Sequence, residues 1–258
     1  NQPEIIFGLK LAATQWTYEA DDFDNKYDED AEYPEYTEEE LAADLAAGGT
    51  TILTENVQVT APITLAAGSV VDGNGHVIYS TVPNANIGTN SERSQFAIVA
   101  TEGTIKNLAI VGTGRGVGTY GELTGDLTLE NYYAAGGSYY FNIGNGNGNA
   151  FTVKNSTLVG WGSFGGDYDK VLFENCTFKP AEYHTLRAYD SVTFTNCEFN
   201  AGYDFDVQDG IGWEKFTFIG CTYNGIPLTS KAQAVELGFI SAEDADTAST
   251  QYNWTFKQ

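Results

Sequence analysis

Basic residues are scarce in this chain. Twelve Lys and Arg stand against 35 Asp and Glu, a formal charge of −23. A nucleic-acid partner would need a basic stripe, and an anionic membrane surface attracts cations; neither partner is expected. With two His and three Cys, few side chains remain for a transition-metal site. No apolar run reaches the roughly 18 residues a membrane-spanning helix needs, so no membrane span is expected. Met is absent and the chain opens on Asn1, which reads as a mature or excised form whose signal peptide is gone. What the chain does have is Gly, Tyr and Phe: 29, 16 and 15 residues. With charged residues at only 18%, the composition suits an exported β protein, extracellular or at a cell surface. No cofactor is implied beyond calcium as a counterion to the acidic surface.

One short pattern recurs. It stands as Phe151–Leu158, Val171–Phe178, Val192–Phe199 and Phe216–Tyr223, each reading apolar, x, apolar, x, Asn or Gly, small, x, apolar. Looser copies occur at Ile105–Ile110 and Leu127–Tyr132. The marker positions are Asn107, Asn131, Asn155, Asn175, Asn196 and Gly220, at steps of 24, 24, 20, 21 and 24 residues. A fixed period of this size signals a solenoid whose units bury their apolar faces only by stacking. Apolar residues alternate within each copy, so the units are strands, and no helical pattern lies between copies. Asn and Gly tolerate positive φ. Asn196 giving way to Gly220 in one register therefore points to a bend with one left-handed residue. The Asn side chains are expected to form an inward hydrogen-bonded ladder. Cys176, Cys197 and Cys221 follow the marker and share parity with Phe178, Phe199 and Tyr223. They should stack inside as buried thiols; a stacked disulfide stays open, since coils about 4.8 Å apart bring thiols close but leave their Cβ vectors parallel.

The repeated step resembles that of right-handed parallel β-helices of the pectate-lyase-like superfamily, over about residues 49–226. The Asp72-Gly-Asn-Gly75 turn also resembles a first-coil feature there. The resemblance implies an all-β, single-stranded right-handed parallel β-helix solenoid of about seven coils. It is specific for architecture and nearly silent on activity, because fold does not fix function.

In chain order, residues 1–36 hold an apolar strand, Ile5–Leu11, and an acidic run. The strand is a candidate for self-association by strand donation. In the run, Asp22, Asp24 and Asp28 are the weak candidates for calcium, but the EF-hand pattern fails: Lys26 takes the fifth position from Asp22 and no Gly follows. Residues 37–48 read as a capping helix opened by the box Thr37-Glu-Glu-Glu40, with Leu41, Ala42 and Leu45 on one face. Residues 49–226 are the β-helix. Residues 227–258 close the far end, with a short helical turn at Ala232–Leu237 and a last strand at Tyr252–Phe256. Asn253-Trp-Thr255 fits the N-glycosylation pattern, as do Asn155-Ser-Thr157 and Asn175-Cys-Thr177, which an inward ladder would hide.

In the lyases and hydrolases of the superfamily, chemistry sits in a groove on one outer face. Lyases pair an acidic calcium cluster with an Arg or Lys base; hydrolases use a group of Asp residues. By parity Arg187 should face outward beside Asp206, with Asp204 and Asp209 nearby, an arrangement that would suit β-elimination on a uronide. Asp204 and Asp206 lie two apart on one strand, roughly 6.5–7 Å, which two-carboxylate hydrolysis does not exclude. His184, a further weak candidate for catalysis, shares parity with Leu186 and reads as buried or at the turn. A surface Arg–Asp pair is the simpler account, worth little in stability. Aromatics such as Tyr139, Trp161, Tyr203 and Trp213 could stack on sugars, lie in subunit contacts or pack under loops. The reading leans to a non-catalytic structural, self-assembling or adhesive protein, ahead of a polysaccharide lyase or hydrolase and of a glycan-binding module.

Overall fold

The computed structural model describes residues 36–83, 96–136, 139–182, 184–207, 215–246 and 252–258, with backbone alone at 206 and 207. Ile5–Leu11, Asp22, Asp24, Asp28, Asp209 and Trp213 lie outside the described residues. Residues 35–258 form one compact unit. Among the described residues, no helix is long and apolar enough to cross a membrane.

The unit is mostly β, a parallel solenoid of about six turns. Its strands line three faces. The first carries strands starting at Thr50, Val70, Gly103, Leu127, Ala150, Lys170, Val192, Lys215 and Asn253. The long strands Gly103–Gly112 and Leu127–Ala135 run on around the corner into the second face, so these two faces join as one 16-stranded sheet. The third face is a separate sheet of seven strands, from Ile63–Thr64 to Asp204–Val207. The count of about six turns is one fewer than the seven coils the sequence suggests. Strand pairs are parallel except the last, where Thr222–Tyr223 meets Ile226–Pro227 antiparallel.

The repeat sets the register. Phe173 pairs with Phe194, Phe194 with Phe218, and Phe218 with Phe256. Their rings stack at 5.2, 5.0 and 5.0 Å between centroids. A second column stacks Phe178 on Phe199 at 4.7 Å. Each such ring pair adds about 0.5–1.5 kcal/mol beyond its buried area, so the later coils are held by aromatic columns as well as by the backbone ladder.

Every marker takes the left-handed conformation: φ is 52° at Asn107, 48° at Asn131, 49° at Asn155, 54° at Asn175, 52° at Asn196 and 62° at Gly220. The ladder, however, does not point inward. Asn131, Asn155, Asn175 and Asn196 are exposed and Asn107 half-buried. The bend resets the alternation. Glu174 and Asn175 both face out, while Cys176 and Phe178 both face in, because one left-handed residue turns the chain through the corner and leaves its side chain outside. The ladder exists on that outer corner, in two runs. The Asn107 amide donates to Asp72 at 2.9 Å and Asn131 to Asn107 at 2.9 Å; Asn175 donates to Asn155 at 3.0 Å. The sequons at Asn155 and Asn175 are therefore on the surface. At Gly220 a Cβ would come within 2.6 Å of the Asn196 side-chain oxygen, which explains why the last rung ends in Gly.

Behind the corner, Cys176, Cys197 and Cys221 are buried free thiols. Each donates to a main-chain carbonyl of the coil before, Val153, Phe173 and Phe194 respectively. They act as weak donors that supply a partner to carbonyls at the corner. Burial and the two thiol neighbours hold the middle one, Cys197, as a thiol.

The solenoid ends are closed differently. Helix α1 (Glu38–Ala47) covers the first coil, with the capping box formed between Thr37 and Glu40 and Gly48 ending it. Leu41 and Leu45 are fully buried in the core. At the other end, α2 (Lys231–Glu236) and α3 (Ala242–Ala245) lie over the last coil. The strand Asn253–Lys257 then adds to Lys215–Ile219.

Candidate functional site

The third face positions the residues singled out for chemistry. Thr185–Ala188 pairs with Asp204–Val207, so Arg187 stands in register with Asp206 and Thr185 with Asp204. Leu186 and Ala188 point into the core and Arg187 is half-buried on the outer side. Its guanidinium lies over the Trp161 ring, 4.7 Å from the centroid.

That contact belongs to a longer run. Trp161 stacks on Tyr139 at 4.4 Å, and Arg115 lies 4.3 Å over Tyr139 and 5.9 Å over Phe96. Rings and cations thus stack along five consecutive rungs of one face, in the order Phe96, Arg115, Tyr139, Trp161 and Arg187. Two of only three Arg residues in the chain are used here. Each cation–π contact contributes roughly 0.5–2 kcal/mol, more where water is excluded, and Arg115 is buried. The run stiffens the face and engages Arg187 through its charge, whereas a lyase base would have to accept a proton.

His184 and Asp204 come together elsewhere. His184 is exposed, not buried, because the turn ahead of its strand lifts it off the wall. Its Nδ1 lies 3.2 Å from the Ala181 carbonyl. Since a carbonyl only accepts, Nδ1 carries a proton, and in the neutral ring Nε2 is then the acceptor. The His184 carbonyl in turn takes the Asp204 N–H at 3.0 Å. Asp204 is exposed, and its carboxylate accepts the Phe205 N–H at 2.7 Å.

Both residues line a cleft of about 490 Å³ between the last rung and the closing helices. Its floor is aromatic: Tyr203, Phe205, Tyr223, Phe239 and Trp254. Tyr203 is anchored from behind by a hydrogen bond between its hydroxyl and that of Tyr140. Burial first, then each other's hydroxyls, keeps Tyr140 far from ionising. Ser241 and Asp244 complete the rim, with the Ser241 hydroxyl donating to the Asp244 carboxylate at 2.6 Å as it caps α3. The Trp254 indole donates to the Asp244 carbonyl at 2.8 Å, which ties the last strand to α3. Chemically, the cleft offers ring surface and hydrogen-bond acceptors. Nothing in the sequence pattern announced Tyr223, Phe239 or Asp244 as lining residues. They come from two segments, the end of the last repeat copy and the closing stretch 235–244, that only the fold brings together.

Among the described residues, no group of three or more His, Cys, Asp or Glu is placed to hold a metal ion. The most strongly engaged carboxylate of the ladder is Asp72. It takes the Asn107 amide and the Asn74 N–H and pairs with Lys106 at 3.2 Å. These contacts, the Asn107 bond foremost, hold it below the ordinary carboxylate range. Its role is to start the corner ladder. Comparison of the chain with protein-family models, curated proteins and solved structures returns no match.

Proposed function

We propose that this chain is a non-catalytic structural protein of an extracellular or cell-surface setting, built to associate with copies of itself. The architecture-level resemblance to the pectate-lyase-like superfamily is part of this reading, but none of that superfamily's chemistry is. The carrying observation is the last strand of the first face. Asn253–Lys257 pairs with Lys215–Ile219 through all five residues. Among the described residues no strand lies on its other side. Such an edge is a template for strand addition. The apolar segment Ile5–Leu11 of a second copy has the length and alternation to fill it. The acidic charge opposes association by self-repulsion, so added salt should favour it.

Sedimentation of the full chain across concentration at low and high salt tests the idea, beside a variant lacking residues 1–20. Concentration-dependent association, strengthened by salt and lost in the truncation, is the expected result. A labelled peptide of residues 5–11 should bind the truncated variant. A full chain that stays monomeric throughout, or a truncation that associates equally well, overturns the proposal. A uronide lyase or a hydrolase has weaker support: Arg187 is engaged over Trp161, and His184 and Asp204 face a cleft rimmed by acceptors.

A further inference from the structure

We propose that the cleft under the closing helices is a binding site for a neutral saccharide. The inference stands whether or not copies associate, since it uses none of the edge strand.

Volume comes first. About 490 Å³ falls within the roughly 300–1,000 Å³ of small-ligand sites. A short oligosaccharide fits, and a folded partner does not. The floor supplies the second argument. Phe205 and Tyr223 are half-buried, so part of each ring meets the cleft, while Tyr203, Phe239 and Trp254 are packed beneath. The floor is also rigid. Phe239 touches Phe199, Phe205, Phe218 and Tyr223, with ring centroids 5.1–5.4 Å away. A preformed ring surface binds the apolar face of a sugar at little cost in ordering.

The rim selects the polar class. Asp204, Asp244 and the Ser241 hydroxyl are all capable acceptors, as is Nε2 of a neutral His184 ring, and the described lining includes no Lys or Arg. A ligand rich in hydroxyl donors satisfies such a rim, since hydrogen bonds to a carboxylate are the stronger kind. An anionic ligand, a uronate or a phosphate, would meet two carboxylates and no countercharge. This separates the cleft from an acidic-polysaccharide groove.

The test titrates the full-length chain with cellobiose, lactose, mannobiose and chitobiose, alongside digalacturonate and choline. Binding is followed by calorimetry and by the fluorescence of Trp254 and its neighbours. At least one neutral disaccharide should bind with a Kd at or below about 1 mM. Asp204→Ala and Tyr223→Ala should each weaken it by about tenfold or more with the melting temperature of Asp204→Ala unchanged, because Asp204 is exposed. Ile52→Ala, at the opposite end, should leave binding intact. The proposal is overturned if no neutral disaccharide binds at about ten times that concentration, if digalacturonate or choline binds as tightly as the best of them, or if binding survives Asp204→Ala and Tyr223→Ala.

Discussion

The two ends of this solenoid solve one problem in different ways. Both must cover an apolar core that stacking alone leaves open. At the N-terminal end a single ten-residue helix does it. Leu41 and Leu45 have no exposed surface, the Ala66 N–H bonds the Leu45 carbonyl at 2.9 Å, and Glu38 straps the helix to the next turn. At the C-terminal end two helices of six and four residues share the task. They leave a cleft, and the strand beyond them ends in an edge. A continuous helix seals and leaves nothing to bind. A broken closure covers the core with rings and leaves some of their surface available. The repeat between the ends is the same scaffold throughout, so the molecule's capacity for recognition is concentrated where closure is incomplete.

That contrast makes an ordering of core truncations, and the ordering is the largest effect by which it can be broken. The cost of removing a buried side chain depends on how far its surroundings collapse. Leu45 is enclosed by a helix and by coils locked in register, so Leu45→Ala should lie near the upper part of the range, about 4–5 kcal/mol. Phe239 is the larger side chain, yet it borders a cleft between short helices. Phe239→Ala should cost only about 3 kcal/mol. Urea unfolding of the two variants measures this directly. If Phe239→Ala proves the more damaging, the C-terminal closure is as tight as the N-terminal cap and the distinction between the ends fails.

Legibility in the sequence divides along the same line. The solenoid was readable because a demand on the backbone recurs: the left-handed corner admits only Asn or Gly at Asn107 through Gly220, and the flanking alternation sets the faces. The cap was readable because its box, Thr37 to Glu40, is local. The direction of the ladder differs from the inward one expected because one left-handed residue turns the corner and puts Glu174 and Asn175 on the same, outer side. The Arg–aromatic run was invisible because Phe96, Arg115, Tyr139, Trp161 and Arg187 fall at uneven spacing, each coil having its own loop length. The cleft was invisible for a deeper reason. Its residues share no period and come from stretches far apart in the chain, chiefly 202–205 and 235–244, and only the packing of α2 and α3 on the last rung assembles them. His184 and Asp204 were singled out for proton transfer and came to rest instead on the rim of that cleft.

A smaller change probes how far the N-terminal seal depends on its box. The Thr37 hydroxyl accepts the Glu40 N–H at 3.2 Å, and the Glu40 carboxylate accepts the Thr37 N–H at 2.9 Å. Thr37→Ala removes the first of these bonds and should cost about 1 kcal/mol. Thermal melts should show a lower midpoint, and amide exchange should quicken in residues 38–41 before it does in the coils. Uniform loss of protection would mean that the helix and the first coil open as one unit, a tighter coupling than the cap geometry alone requires.

The smallest effect is also the one that reads the strap itself. The Glu38 carboxylate accepts the Thr60 and Ala61 N–H groups at 2.9 and 2.8 Å and the Thr60 hydroxyl at 2.7 Å. Burial works against its charged form, but the Thr60 hydroxyl and the two N–H groups outweigh it and hold Glu38 below its ordinary value. The unfolded chain takes up a proton here near pH 4.3, about the free glutamate value, while the folded protein still refuses it. Between those two values the unfolded state binds more protons, so stability falls as the pH drops, and the contribution is gone once the folded group is protonated. Glu38→Gln should therefore be less stable than the parent at neutral pH and should lose less of its remaining stability as the pH falls through and below the free glutamate value. Other carboxylates titrate in the same window, so the comparison rests on the difference between the two curves. Curves that run parallel would show that Glu38 does not strap the helix to the next turn, and the N-terminal seal would then rest on Leu41 and Leu45 alone.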